Sequence, residues 1–355
     1  MAWISLFLLM VSVRAADLPM FLTKHSNDTL RFITMDGRYA YVQKKPGVLG
    51  LVSSFRSVDF LTDSGQSDFL VKGSRFEERL LIESIPNVHT EYNLLKNHKI
   101  HVVDWGNTVT KEVGTGKASR LHLEDEWVTY FNPLERSIFI QNLETQKKYA
   151  IKLGAKSNPF FVPEVEMINQ NTVVYTDTNE AGFSAIISYN LLEGKSSVLY
   201  KSPGSGTKIE LCQHKTYLAM GEFPHDGVSR GSKIMHVTLS KGSSNLAGFE
   251  ALYSSNLGDL GNLICRETGI YFIKNLTNAK TAVSKKMEVS WIDLRTRKVE
   301  VRSAMDSVSQ LVEMNGRVLV PLRGDFYVVE GKFNIGTDIL KSLPVDSKEE
   351  LPLDL

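Results

Sequence analysis

At 355 residues and 42% hydrophobic content, the chain is long enough for two ordinary domains or one large repeat domain, and it has the material for a real core. Its 41 basic and 40 acidic side chains nearly cancel, which removes the broad positive face of a nucleic-acid binder and the polybasic stretch of a membrane-surface protein. Two cysteines, with no C-x-x-C and no zinc-finger spacing of Cys and His, give no reason to expect a structural metal.

In chain order, the first signal is an apolar run from Ala2 to Val13, followed by Val13-Arg14-Ala15. A small-residue cleavage pattern behind a short apolar run predicts a signal peptide over 1–15 and export to the periplasm or the extracellular space. An uncleaved membrane tether and a buried first strand are the competing readings, because no Lys or Arg precedes the run and Arg14 sits in the cleavage region. The run is too short to cross a bilayer and no other stretch is apolar for long enough, so no integral span is expected.

From residue 28 onward the sequence repeats itself. A turn followed by an apolar strand recurs in "RFITMDGRYAY", "RLHLEDEWVTY", "EMINQNTVVYT", "ELCQHKTYLAM", "LICRETGIYFI" and "LVEMNGRVLVP", anchored on Tyr39, Trp127, Val173, Tyr217, Ile270 and Val318. The anchors are about 45 residues apart, with one gap of about twice that, which places a further degenerate unit near "RFEERLLIESI". Ahead of the anchors stands a uniformly apolar column, Ile33, Leu121, Met167, Leu211, Ile264 and Val312, as expected of a buried contact between stacked units. The next column, Thr34, His122, Ile168, Cys212, Cys265 and Glu313, is mixed and faces the other way.

Most units then carry a second hairpin, as in "SIFIQNLETQKKYAI", "AIISYNLLEGKSSVLY" and "VSWIDLRTRKVEVR", with Asp or Asn at 104, 142, 190 and 293 starting the tight turn. Four strands per unit, period-2 alternation and no helical periodicity predict an all-β chain: a β-propeller of seven four-stranded blades over 28–340. A pair of β-sandwiches is the alternative, disfavoured by the constant repeat length.

The "DGRYAYV" and "NGRVLVP" hairpins and the "YNLLEGK" and "IDLRTRK" turns resemble the blades of TolB-type and related WD-like bacterial propellers over about residues 28 to 335. The WD and Gly-His pairs of WD repeats are absent, as is the sialidase-type Asp box, so the resemblance carries over no site residue. It implies an architecture often used for binding, and fold does not fix function.

Three successive units extend the same connection. "TDTNEAGFSA" offers Asp177, Asn179 and Glu180, "GEFPHDGVSRGSK" offers His225, Asp226 and Arg230, and "NLTNAKTAVSKK" offers Lys280 and Lys285. Loops at equivalent places project from one face and would form a contiguous polar surface. Against this, Asp-Gly is ordinary turn chemistry, the acidic spacing lacks the full calcium-loop series, and inserts collect where a fold tolerates them.

Cys212 and Cys265 share a repeat column, so their side chains are expected to point in the same rotational sense and to remain free, buried thiols, with a disulfide in an oxidising compartment as the alternative. No G-x-S-x-G elbow, H-E-x-x-H, Walker or dinucleotide glycine pattern occurs, and no cofactor is indicated. A channel-lining site of scattered acids and histidines remains open, with His122 and Glu313 as candidates beside their blander readings of a hydrogen-bonded core histidine and a solvated glutamate. Asn27 and Asn275 begin glycosylation-type triplets, and 341–355 reads as a flexible acidic tail. The leading expectation is an exported non-enzymatic scaffold that binds a protein, peptide or glycan. The alternative is a channel-lining hydrolase or lyase acting on a polysaccharide.

Overall fold

The structure, a computed structural model, describes residues 29–33, 39–53, 57–62, 67–73, 79–86, 98–104, 109–158, 161–224, 231–239, 248–255, 260–275, 287–305, 311–314, 317–322 and 325–328. They form an all-β chain of antiparallel sheets, and no helix among them is long and apolar enough to cross a membrane. The expected signal peptide and acidic tail lie outside the described residues.

The first sheet is a meander of β1 (Thr29–Ile33), β2 (Tyr39–Lys45), β3 (Val48–Ser53) and β4 (Ser57–Thr62). The second has seven strands in sequence order: β5 (Asp68–Gly73), β6 (Arg79–Ile85), β7 (His98–Asp104), β8 (Val109–His122), β9 (Trp127–Asn132), β10 (Ser137–Asn142) and β11 (Lys148–Lys152). The third is β12 (Val165–Asn169), β13 (Thr172–Thr178), β14 (Phe183–Asn190) and β15 (Lys195–Ser205). The fourth is β16 (Thr207–His214), β17 (Tyr217–Pro224), β18 (Ser232–Thr238) and β19 (Glu250–Ser255). The fifth is β20 (Leu260–Arg266), β21 (Gly269–Asn275), β22 (Met287–Asp293) and β23 (Val299–Met305), and the sixth is β24 (Val312–Met314), β25 (Arg317–Leu322) and β26 (Asp325–Val328).

Burial falls outward from the second strands in the second to fifth sheets. The second strands are apolar and enclosed on both faces: all of "WVTYFN" in β9 is buried, and β13 is nearly so. Third strands such as β14 alternate, and fourth strands such as β11 and β15 are largely solvated. Such a gradient needs sheets stacked face to face. Trp127, Phe131, Ile138 and Ile140 pack against Val165, Met167, Val173 and Tyr175 of the third sheet. Val174 and Ile186 in turn meet Leu211, Leu218 and Met220 of the fourth. Each buried Ile, Leu or Phe of these seams contributes about 1.5–3 kcal/mol relative to exposure, so the seams carry most of the fold.

The outer turns have one chemistry. Asn142 Oδ1 accepts the amides of Glu144 and Thr145 (3.1 and 2.7 Å), Asn190 Oδ1 those of Leu192 and Glu193 (2.9 and 3.1 Å), and Asp293 Oδ1 that of Thr296 (2.6 Å). A left-handed residue then closes each turn: Gln146 at φ 60°, Gly194 at 66° and Arg297 at 56°. The short acceptor thus holds the turn open for the αL step that returns the chain.

Strand β8 is the irregular element. Its first half, Val109–Gly116, pairs with β7, whereas Lys117–His122 pairs with β9. Gly114 and Gly116 let it pass over Tyr130, because a Cβ at either position would fall 2.3 Å from the phenol oxygen or 2.6 Å from the Phe131 carbonyl. At the handover Ala118 adopts φ 50° and the register shifts.

Two expectations need correction. Cys212 and Cys265 are disulfide-bonded, with Cα atoms 5.5 Å apart. The repeat columns, aligned on the anchors, misplace β20 by one residue. The fourth-sheet hairpin closes at His214↔Tyr217 and the fifth at Arg266↔Gly269, so Tyr217 matches Gly269 and not Ile270. A one-residue offset turns every side chain to the other face. Cys212 therefore faces the fifth sheet while Cys265 faces back to the fourth, in a shared cluster with Tyr217, Phe223, Ile270 and Phe272. The apolar column splits likewise: Leu211 looks to the third sheet, Ile264 to the sixth.

The anchors Tyr39, Tyr217 and Val318 all lie on the second strand of their sheets. The turns at 34–38 and 315–316 lie outside the described residues. The sixth sheet approaches the second, where β24 comes near β5.

Candidate functional site

In each meander the link into the first strand and the connection from second to third strand leave from the same end of the sheet. Asp177, Asn179 and Glu180 stand there. Asp177 Oδ2 accepts the Ser157 hydroxyl at 2.8 Å, and Asn179 Oδ1 accepts the Phe183 amide at 3.0 Å. The Glu180 amide donates to Lys156 O at 2.8 Å, and Asn158 N to Thr178 O at 2.6 Å. The Arg136 guanidinium caps the same link through the carbonyls of Gly154 and Ser157. Asp177 thus clamps the second-to-third-sheet link through Oδ2, the Asn179 side chain closes its own turn, and of the three only Glu180 offers an exposed charge. His225, Asp226, Arg230, Lys280 and Lys285 lie outside the described residues.

The inner strands carry two polar clusters. In the first, Glu83 of β6 is 2% exposed and accepts from Lys72 Nζ (2.6 Å), the Ser119 amide (2.7 Å) and the Ser119 hydroxyl, while its other oxygen meets His98 Nδ1 at 2.9 Å. Burial alone would raise this carboxyl, but the His98 and Lys72 partners and the Ser119 hydroxyl outweigh it and hold it well below the usual carboxylate range. Lys72 also donates to Ser119 O at 2.9 Å, so the cluster pins β8 where it changes partners. Burial lowers the neighbouring Lys117 ammonium, with Glu83 opposing.

The second cluster lies at the starting ends of β12 and β16. Arg120 of β8 pairs with Glu166, whose second oxygen is 3.6 Å from His122 Nδ1. Lys208 Nζ meets Glu210 Oε1 at 2.5 Å, and Glu210 Oε2 accepts the Leu263 amide at 3.3 Å. Glu164 enters β12 with its backbone fixed on Thr176: its amide donates to Oγ1 at 2.8 Å and its carbonyl accepts Thr176 N at 3.0 Å. Its carboxyl is raised by burial, and Glu210 and Glu166 push it further up against the pull of Arg120 and Lys208. Three carboxyls thus share two cations at the end where the clamped links leave.

His122 is a satisfied core residue. Its Nε2 lies 2.8 Å from Thr129 Oγ1, and burial lowers its imidazole although Glu166 pulls the other way. For Glu313 only the backbone, on β24, is described. Sequence reasoning missed Glu164, Glu166, Glu210, Arg120 and Lys208. Their trace was there: charges at the head of otherwise apolar innermost strands, in "EVEM" and "TKIELC".

Neither a protein-family model nor a curated relative matches the sequence. Solved structures do. The β-propeller domain of Cps50 (Swd1) from Myceliophteria thermophila aligns at a TM-score of 0.52 and 10% identity, over 86% of this chain and 97% of that one. The fold they share is the β-propeller. The tricorn protease aligns at 0.53 and 13% identity over 85% of this chain, and a prolyl endopeptidase at 0.51 and 12% over 83%. This chain spans only 35% and 43% of those two structures. At such identities the likeness is one of fold, and it includes a propeller domain on its own as well as parts of proteases.

Proposed function

We propose that the chain is an exported seven-bladed propeller that binds a protein, peptide or glycan partner at the end of the ring where Glu164, Glu166, Glu210, Arg120 and Lys208 gather. The blade count follows if β8 serves as the last strand of one blade and the first of the next, dividing the second sheet into β5–β8 and β8–β11. The approach of β24 to β5 supports closure of the ring, and the Cys212–Cys265 disulfide supports an oxidising, extracytoplasmic setting.

The observation that carries the reading is the meeting of the charged cluster with the extended connections at one end. Polar groups that converge on a rigid scaffold are suited to orienting a partner. The test compares capture of envelope proteins and glycans by the wild-type chain, by K208E, and by a form whose residues 225–230 are replaced with Gly and Ser. One partner lost from both variants supports the proposal. The same partners on all three baits would end it.

A second reading has its own observation. A carboxyl held up by burial beside two other carboxylates is the arrangement of a general acid with a charged companion, and it favours a channel-lining hydrolase or lyase acting on a polysaccharide. Depolymerisation of acidic and neutral polysaccharides that E164Q abolishes would select this reading; activity that E164Q leaves unchanged would remove it.

A further inference from the structure

Of the three carboxyls at the charged end, two are taken. Glu166 gives one oxygen to Arg120 and holds the other 3.6 Å from His122 Nδ1. Glu210 gives Oε1 to Lys208 at 2.5 Å and Oε2 to the Leu263 amide at 3.3 Å. Glu164 differs from both. Its backbone is tied to the fully buried Thr176 through an amide and a carbonyl hydrogen bond of 2.8 and 3.0 Å. Its carboxyl, by contrast, has no hydrogen-bond donor and no ion-pair partner among the described residues. Both oxygens are therefore open, on a stem anchored at its base.

The surroundings restrict what can meet those oxygens. Glu164 is half-buried, and burial is the main influence on its carboxyl, so the group sits in a recess that solvent still reaches. A carboxylate drawn out of bulk water without a partner is costly, and a cation entering the recess relieves that cost. The charges that act on it are Arg120 from β8, Glu166 from β12, and Lys208 and Glu210 from β16. Three carboxyls against two cations leave a place for one positive charge. A metal ion does not suit the donor set, because no three acidic, histidine or cysteine side chains among the described residues stand together to hold one. An ammonium suits it poorly, being strongly hydrated and needing acceptors from several directions where one carboxyl is free. A guanidinium is weakly hydrated, and its planar fork takes both oxygens of a single carboxylate.

Resting on the reading of this end as the binding face, we infer that the partner is a polypeptide, and that the group seated here is the guanidinium of one of its arginine side chains, paired bidentately with Glu164. A glycan carries no such group. The pairing also moves a proton. Burial, with Glu210 and Glu166 beside it, holds the free carboxyl up, whereas an entering guanidinium favours the ionised form and displaces the proton. Burial lowers the His122 imidazole behind Glu166, so that ring adds no charge at neutral pH. Affinity is therefore expected to rise with pH above the ordinary carboxylate range and to level once the free protein is ionised at Glu164.

The probe is acetyl-Gly-Arg-Gly-amide, titrated calorimetrically into the full-length protein. Citrulline in place of arginine is the neutral control of the same shape, and lysine is the ammonium control. The arginine probe is expected to bind saturably, the citrulline peptide not at all, and the lysine peptide more weakly. E164Q is expected to weaken the arginine probe about tenfold or more and to abolish the rise with pH. E164D, which keeps the charge on a shorter stem, is expected to retain the pH dependence at reduced affinity. Thermal melting of each variant guards against misfolding, and E164D keeps the test open should E164Q not fold. Absence of binding, equal binding of the citrulline or lysine peptide, or arginine binding indifferent to E164Q would overturn the inference. A polypeptide captured by the wild-type chain, lost from K208E and retained by E164Q would also overturn it, while leaving the binding face in place. Identical partners on the wild type, K208E and the loop variant would remove the face itself, and the inference with it.

Discussion

The Glu83 and Glu164 clusters are made of the same ingredients, glutamates and cations on or near inner strands, and they do opposite things. Around Glu83 one carboxylate collects a lysine, a histidine ring nitrogen, an amide and a hydroxyl, and its charge is fully used. Around Glu164 three carboxyls divide two cations, and one carboxyl is left paying a desolvation cost. The lesson is one of accounting. A buried charge with all its partners locks a fold, whereas one short of partners stays responsive to whatever enters.

The sharpest way to break the contrast is Glu83→Ala. It strands Lys72 and releases the bulged handover at Ala118 and Ser119, so a loss of about 3–5 kcal/mol is expected in denaturant unfolding. Lys72→Met alone should cost less, because His98 and Ser119 remain on the carboxylate. The acid limb should show it too. The folded carboxyl lies below its unfolded value, so its contribution is present above the ordinary carboxylate range and is lost as pH falls through the folded value. A wild-type protein whose unfolding free energy did not fall more steeply in acid than that of Glu83→Gln would contradict the lock.

Next in size is the disulfide. Cys212 and Cys265 are separated by 53 residues and join the innermost strands of adjacent sheets. Replacing both by Ser is expected to cost about 2–4 kcal/mol, mostly by freeing the unfolded chain. The loss should appear in the melting of the fourth and fifth sheets by hydrogen exchange and leave protection at Glu83 unchanged. Uniform loss across both regions would mean that the sheets unfold as one unit and that the contrast is chemical only.

Much of this was legible in residues whose signal is local. The Asn142, Asn190 and Asp293 turns, the four-strand units of the third to fifth sheets and the second-strand anchors all rest on short-range chemistry, and the sheets form there. What failed was parity. Nothing in "LICRETGIYF" announces that its hairpin closes one residue off from "LCQHKTYLAM", yet that offset decides whether two cysteines meet. The charged mouth was hidden for a different reason. Glu164, Glu166, Arg120, Lys208 and Glu210 come from three separate units, and only the stacking of sheets brings them together. The sequence-based choice of Asp177 and Asn179 rested on loop position, and the structure ties Asp177 Oδ2 to Ser157 and Asn179 Oδ1 to the Phe183 amide.

The smallest effect is also the most discriminating between the two clusters. Glu164 is raised in the folded state, so unfolding releases a proton more readily than the native protein does. Below the unfolded carboxylate value both states are protonated and the group is neutral in stability. As pH rises past that value the unfolded state ionises first, and the native state carries a growing penalty until its own carboxyl ionises. Glu164→Gln is therefore expected to stabilise the protein slightly at neutral pH and to change nothing in acid, the reverse of Glu83→Gln, with denaturant midpoints at the two pH values as the readout. A ligand whose cationic group pairs with Glu164 would be bound more weakly by this more stable variant. That opposition between stability and binding is the mark of a site. A variant that lost stability at neutral pH would instead make Glu164 a second lock, and the proposed mouth would then lose its distinguishing residue.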